Sequence, residues 1–126
     1  MAGATVEVRG VRELARTLRQ AGVGLEQLKD AHAKVSQIVA RGAAVRAPRV
    51  SGALAGSVKG TRRQSAAVVR AGNGRVPYAG VQNFGWPRRH IRGTHFLQMG
   101  AQTTRAHWMA EYEREVEALC RTVHGA

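Results

Sequence analysis

The chain has 126 residues, one domain of ordinary size. Twenty Lys/Arg against eight Asp/Glu leave a formal net charge of +12, and no apolar run approaches the ~20 residues of a membrane span. A single cysteine, Cys120, excludes an internal disulfide framework and is read as a small buried thiol on a helix.

Twenty-one alanines dominate the 44% hydrophobic fraction, against seven Leu, two Ile and six aromatic residues. Alanine buries little area, so the core is modest, and the net charge adds self-repulsion. Part of the stability is therefore expected from subunit contacts. Met1 to Gly10 lacks the apolar core of a signal peptide, so a soluble protein made in a cytoplasm is expected.

In chain order, residues 1–10 form an N-terminal arm in which Thr5 to Val8 reads as a short edge strand. Residues 11–47 are helical. Arg12 to Ala21 places Val11, Leu14, Ala15 and Leu18 on one face. Gly22 and Gly24 punctuate it. From Leu25 the apolar positions Leu28, Ala31, Val35, Ile38, Gly42 and Val45 alternate steps of three and four, and the helix must stop before Pro48. Two helices with a kink and one bent helix both fit this pattern.

Pro48 to Gly56 reads as loop. Residues 57–100 hold the sheet and a long loop. Ser57 to Arg63 and Ala66 to Ala71 read as a β-hairpin with Val58, Val68 and Val69 as its apolar content, followed by a turn at Asn73-Gly74. Residues 75 to 100 read as irregular and hold four of the six aromatics. The last helix, 101–123, carries Trp108, Tyr112, Val116, Leu119 and Val123 on one face. The expected class is α+β: a long N-terminal helical segment, a small antiparallel sheet with an aromatic and basic loop, and a C-terminal helix packed on the sheet.

The charge is segregated. Residues 31 to 110 contain thirteen Lys/Arg and no acid, while all eight acids lie in Glu7 to Asp30 and Glu111 to Glu117. Such a block fits an acidic protein surface or phosphates, or serves only as a solubilising face. No helix-turn-helix, zinc-finger or RNA-module signature accompanies it. Catalytic spacing is absent too. Ser51, Ser57 and Ser65 sit in no nucleophile elbow, and Gly72-Asn73-Gly74 opens no helix that could hold phosphate. His90, His95 and the His107/Glu111 pair read as solvated or hydrogen-bonded side chains rather than metal ligands. A non-enzymatic protein without cofactor or metal is the expectation.

Three phrases run in order: Pro48-x-x-Ser51-Gly52-x-Leu54-x-x-Ser57, then Tyr78-Ala79-(x)4-Phe84-Gly85, then Phe96-Leu97. At these separations the chain resembles the tail-component proteins of long-tailed bacteriophages, the small neck or tail-completion proteins. The likeness is strongest over Ala47 to Ala101 and extends to the flanking helices. Most of these phrase residues read as fold-maintaining: Pro48 stops the helix, Gly52 permits a turn, Leu54 plugs the base of the sheet, and Tyr78 and Phe84 add aromatic area to the core. The chain departs from the family pattern at Val50 and Asn83, where an acid is common, and at Met99-Gly100, where Pro-Ala is common.

The resemblance implies a structural virion protein of the head–tail neck. It would form a homo-oligomeric ring, six-fold, touching head-closure, terminator or tail-tube proteins, with DNA passing through its channel. The alternatives are a tail-terminator ring and a basic nucleic-acid-binding protein. The expected docking residues are Arg62 and Arg63 on the hairpin and Arg88, Arg89 and Arg92 in the loop, with Trp86 as anchor. Glu111 and Glu115 form an acidic patch that could meet the basic loop of a neighbouring copy.

Overall fold

The computed structural model describes residues 3–48, 52–63, 66–72 and 78–123. The fold is α+β. Strand β1 (Ala4–Glu7) leads into α1 (Val11–Gln20) and then α2 (Leu25–Arg46). A short turn of helix, α3 (Ala53–Gly56), precedes β2 (Lys59–Gly60) and β3 (Val68–Ala71). Next come α4 (Ala79–Phe84) and a small hairpin of β4 (Gly85–Trp86) and β5 (Ile91–Arg92). Helices α5 (Phe96–Thr103) and α6 (Arg105–Val123) complete the chain.

The three-stranded sheet runs β1-β3-β2, fully antiparallel, so β3 is central and β1 an edge. Its register puts Val6 opposite Val69 and Glu7 opposite Val68. The helical N-terminal segment resolves into two helices. Gly22 adopts φ 101 between them, and the Gln27 side chain accepts the Gly24 N–H at 3.0 Å to start α2. That single bond satisfies the N–H of the residue that opens the helix. α2 ends one residue before Ala47, whose extended backbone is what a following proline demands.

α2 is the spine. Its Ala31, Val35, Val39 and Ala43 are buried with Val69 and Ala71 of the sheet and with Phe96 and Leu97 of α5 in one core. Burying a side chain of the size of Phe96 or Leu97 stabilises by about 1.5–3 kcal/mol. A second, smaller cluster joins Ala15, Val23 and Leu28 at the other end, with Leu119 of α6 against it.

Several expectations are corrected. α6 packs on α2 rather than on the sheet, because Trp108 and Tyr112 face the spine core. The stretch read as irregular contains α4, a hairpin and α5, and the region read as loop before Ser57 contains α3. The last helix begins at Phe96 and is broken at Thr104. At the break the Trp108 indole N–H donates to the Ala101 carbonyl at 3.1 Å, an acceptor that an unbroken helix would use itself. Leu14 and Val45, placed on core faces by periodicity, are exposed. Tyr78 and Phe84 do not fill the core and are 40% and 49% exposed. Ser51, the Asn73-Gly74 turn and the side chain of Cys120 lie outside the described residues.

α5 crosses α2 at very short range. A Cβ on Gly100 would lie 2.5 Å from the Ala43 backbone nitrogen, so only glycine allows this crossing. Gly42 faces Thr104 and Gly100 in the same contact. No described helix is long and apolar enough to cross a membrane.

Candidate docking surface

The family-like phrases divide into fold residues and surface residues. Leu54 is buried in the main core. Gly52 caps α3 at φ 83 with open space where a Cβ would stand, so its requirement is conformational and not steric crowding. Ser57 is buried; its hydroxyl donates to the Leu54 carbonyl at 2.7 Å and accepts the Gly72 N–H at 2.9 Å, tying α3 to the end of β3. Pro48 follows the end of α2, and Phe96 and Leu97 are buried at the start of α5. Gly85 takes φ 82 where α4 turns into the hairpin.

The hairpin carries Trp86, Arg88, Arg89 and Arg92. Gly85 pairs with Arg92 and Trp86 with Ile91. A 3-10 turn at Pro87–Arg89 closes it, with the His90 N–H donating to the Pro87 carbonyl at 3.0 Å and His90 in the left-handed region at φ 56. Pro87 sets the turn and removes a donor that it would leave unused.

Two connections fasten the hairpin to the core. The Thr94 and His95 N–H groups donate to the Gln82 and Asn83 carbonyls at 2.8 and 2.9 Å. The fully buried Asn83 then accepts the Leu97 N–H on its Oδ1 at 3.0 Å. His95 gives α5 no side-chain cap, and Asn83 does that work from fourteen residues upstream. Gly93 sits where a Cβ would meet the Phe84 carbonyl carbon at 2.5 Å, which allows the two arms to close together.

At the tip, the Arg89 guanidinium lies over the Trp86 ring, 5.3 Å from its centroid, while the tryptophan is 44% exposed. A cation–π contact at an exposed site stabilises by about 0.5–1 kcal/mol and holds the ring in one orientation. Arg88 and Arg92 are exposed and have no ion-pair partner among the described residues. With Tyr78 and Phe84, the stretch presents three partly exposed aromatics and three arginines. Tyr, Trp and Arg are the residue types that dominate binding energy at protein interfaces.

The other expected docking residues stand elsewhere and are differently engaged. Arg62 is held by Asp30 at 2.8 Å and lies 3.7 Å from Glu26, both on α2, so it fastens the segment after β2 to the spine. Arg63 is exposed, but its carbonyl accepts a hydrogen bond from His32 Nδ1 at 2.8 Å. Glu115 pairs with Lys34 of α2, and Glu111 with Arg114 on its own helix at 3.1 Å. The acidic face of α6 is thus largely engaged within the chain.

His32 is a buried polar residue that periodicity alone did not mark. It has 0% exposure, and its ring stacks on Tyr112 with centroids 5.6 Å apart. The Arg63 carbonyl can only accept, so Nδ1 carries the proton. Nε2 of the neutral ring then accepts the Tyr112 hydroxyl at 3.0 Å. Burial pushes the His32 pKa below its ordinary 6.5 and the Tyr112 pKa up to about 12. A histidine inside an alanine-rich helical stripe, four residues after Leu28, was the only sequence signal for it.

Comparison with protein-family models, curated proteins and solved structures finds no match to this chain.

Proposed function

We propose that the protein is a structural component of the phage head–tail neck, a non-catalytic ring subunit that joins tail to head around the DNA channel. The reading rests on the ordered phrases from Pro48 to Leu97. The observation that carries its docking part is the hairpin Gly85–Arg92, where Trp86 stands half exposed and braced by Arg89, beside Arg88 and Arg92, which have no acidic partner among the described residues. A rigid aromatic anchor ringed by unpaired cations suits an acidic protein surface, since little ordering entropy is left to lose on contact.

The experiment is the triple substitution R88S/R89S/R92S in the assembling phage. Heads and tails should both form, remain unjoined and be rescued by wild-type protein. Virions that assemble normally would remove the hairpin from the joint. The purified protein viewed by negative-stain microscopy should show rings with an open pore. Tight binding to DNA with a steep salt dependence, and no rings, would favour a free nucleic-acid-binding protein instead.

A further inference from the structure

A second surface lies away from the hairpin. β1 pairs with β3 on one side only. The Val8 N–H donates to the Ala67 carbonyl at 2.8 Å, so Val8 and, by the antiparallel alternation, Val6 and Ala4 turn their backbone groups toward β3. Thr5 and Glu7 therefore turn theirs outward, and Arg9 stands in the turn after the strand. At the start of the strand α4 comes close, with Gly80 against the Gly3 carbonyl. The later part, from Glu7 to Arg9, instead borders an open groove of about 380 Å³, whose far wall is the α5–α6 corner.

Three features of this groove are unexplained by the fold. Gln98 lines it and keeps its side-chain Oε1 buried with no hydrogen-bond partner among the described residues. A buried acceptor left unpaired costs about 1–3 kcal/mol, so such groups are normally satisfied. Arg9 and Arg105 border the groove, both exposed and without an ion-pair partner among the described residues. Arg105 is also the first residue of α6, where a cation opposes the helix dipole and stabilises nothing within the chain. Ala101 and Trp108 also line the groove and supply apolar surface.

We propose that this groove takes an extended, acidic strand from a different protein chain, added to the free edge of β1. The outward N–H and C=O groups of Glu7 supply the ladder bonds. The Gln98 side chain turns its buried Oε1 into the groove to accept a backbone N–H of the incoming strand. Arg9 and Arg105 bracket a carboxylate, and an apolar side chain beside it lies on Ala101 and Trp108. Strand addition of this kind takes affinity from main-chain bonds and specificity from alternate side chains.

The charge pattern argues for a foreign strand. Seven of this chain's eight acids lie on helices α1, α2 and α6. The eighth, Glu7, is gripped by Arg12 at 2.7 Å, so a second copy has no free acidic strand to offer. The proposal does not depend on the hairpin and would stand if the hairpin assignment failed.

The test uses the whole protein labelled with ¹⁵N. A short synthetic peptide alternating Val and Thr around a central Glu is titrated in, alongside its twin with Lys in place of Glu. The acidic peptide should shift the Glu7 and Arg9 amides, the Gln98 side-chain amide and the Trp108 indole, while the Val8 amide keeps its protection. R105E should weaken the acidic peptide about tenfold or more and improve binding of the Lys twin. E7P, which deletes one outward N–H of β1, should weaken both without touching the Val8 bond to β3. Shifts confined to the hairpin, equal binding of the two peptides, or no binding at millimolar concentration would each overturn the proposal. So would concentration-dependent self-association that R105E abolishes, since a second copy would then be the occupant.

Discussion

Two regions of the molecule carry arginines to opposite ends. Along the seam where α2 meets α6 and the segment after β2, charges are consumed inside the chain, Arg62 by Asp30 and Lys34 by Glu115, and the Arg63 carbonyl accepts a hydrogen bond from His32. On the hairpin Gly85–Arg92, Arg88 and Arg92 have no acidic partner among the described residues, and Arg89 leans on a half-exposed tryptophan. Net charge alone treats these arginines alike. The difference teaches that a basic block becomes informative only once its internal partners are subtracted. What remains unpaired is the part of the surface left for something else.

Variants can break this contrast, beginning with the seam. His32→Ala removes a buried side chain and strands both the Tyr112 hydroxyl and the Arg63 carbonyl. It should destabilise by about 3 kcal/mol in chemical denaturation, through cavity and lost hydrogen bonds together. A loss no larger than that of a surface substitution would mean that the seam is not the stabilising region described. Asn83→Ala acts at the joint between the two regions. Without it the buried Leu97 N–H has no acceptor, so a loss of about 1–2 kcal/mol is expected, and amide exchange should quicken first in α5.

The seam should also show in the pH dependence of stability. The folded pKa of His32 is depressed, so its contribution is complete above the unfolded value of 6.5 and is lost as pH falls through the folded one. Tyr112 behaves in the opposite sense. Its pKa is raised from 10.0 to about 12, so its contribution holds below 10.0 and is lost as pH climbs through about 12. Denaturation midpoints measured across pH should fall at both ends, and the acid-side fall should shrink in His32→Phe. An acid limb unchanged in that variant would assign the effect to other groups.

The smallest stability effects are expected from exposed charges. Lys34→Ala breaks the pair with Glu115 and should cost about 0.5 kcal/mol or less, falling further in high salt. R88S/R89S/R92S should cost about 0.5–1 kcal/mol at most, through the lost Arg89–Trp86 contact, and under the proposed neck role should abolish head–tail joining. A large drop in stability from that triple variant would make the hairpin a fold element and erase the distinction between the regions.

Much of the scaffold was legible in local sequence. The three-and-four spacing from Leu28 to Gly42 marks the inner face of α2, and Pro48 forces its end, because both signals act within a few residues. Trp108, Tyr112 and Val116 likewise mark the face that α6 turns to the spine. The candidate hairpin was visible as a basic, aromatic, proline-containing stretch, although its strands were not. Two-residue strands have no period to read.

What sequence by itself determined, then, is the helical spine, the α+β class and the separation of acids from bases, all consequences of short-range geometry and composition. Tertiary structure decided the rest. α5 is a helix because Asn83 caps it from a distant turn and Gly100 lets it lie against Ala43. Tyr78 and Phe84 stay exposed, while Phe96 and Leu97 fill the core beside α2. Arg62 is spent and Arg88 is not because Asp30 lies beside one and no acid of the described chain beside the other. Each of these depends on which distant groups the fold brings within a few ångströms, where packing, hydrogen bonds and Coulomb attraction take effect.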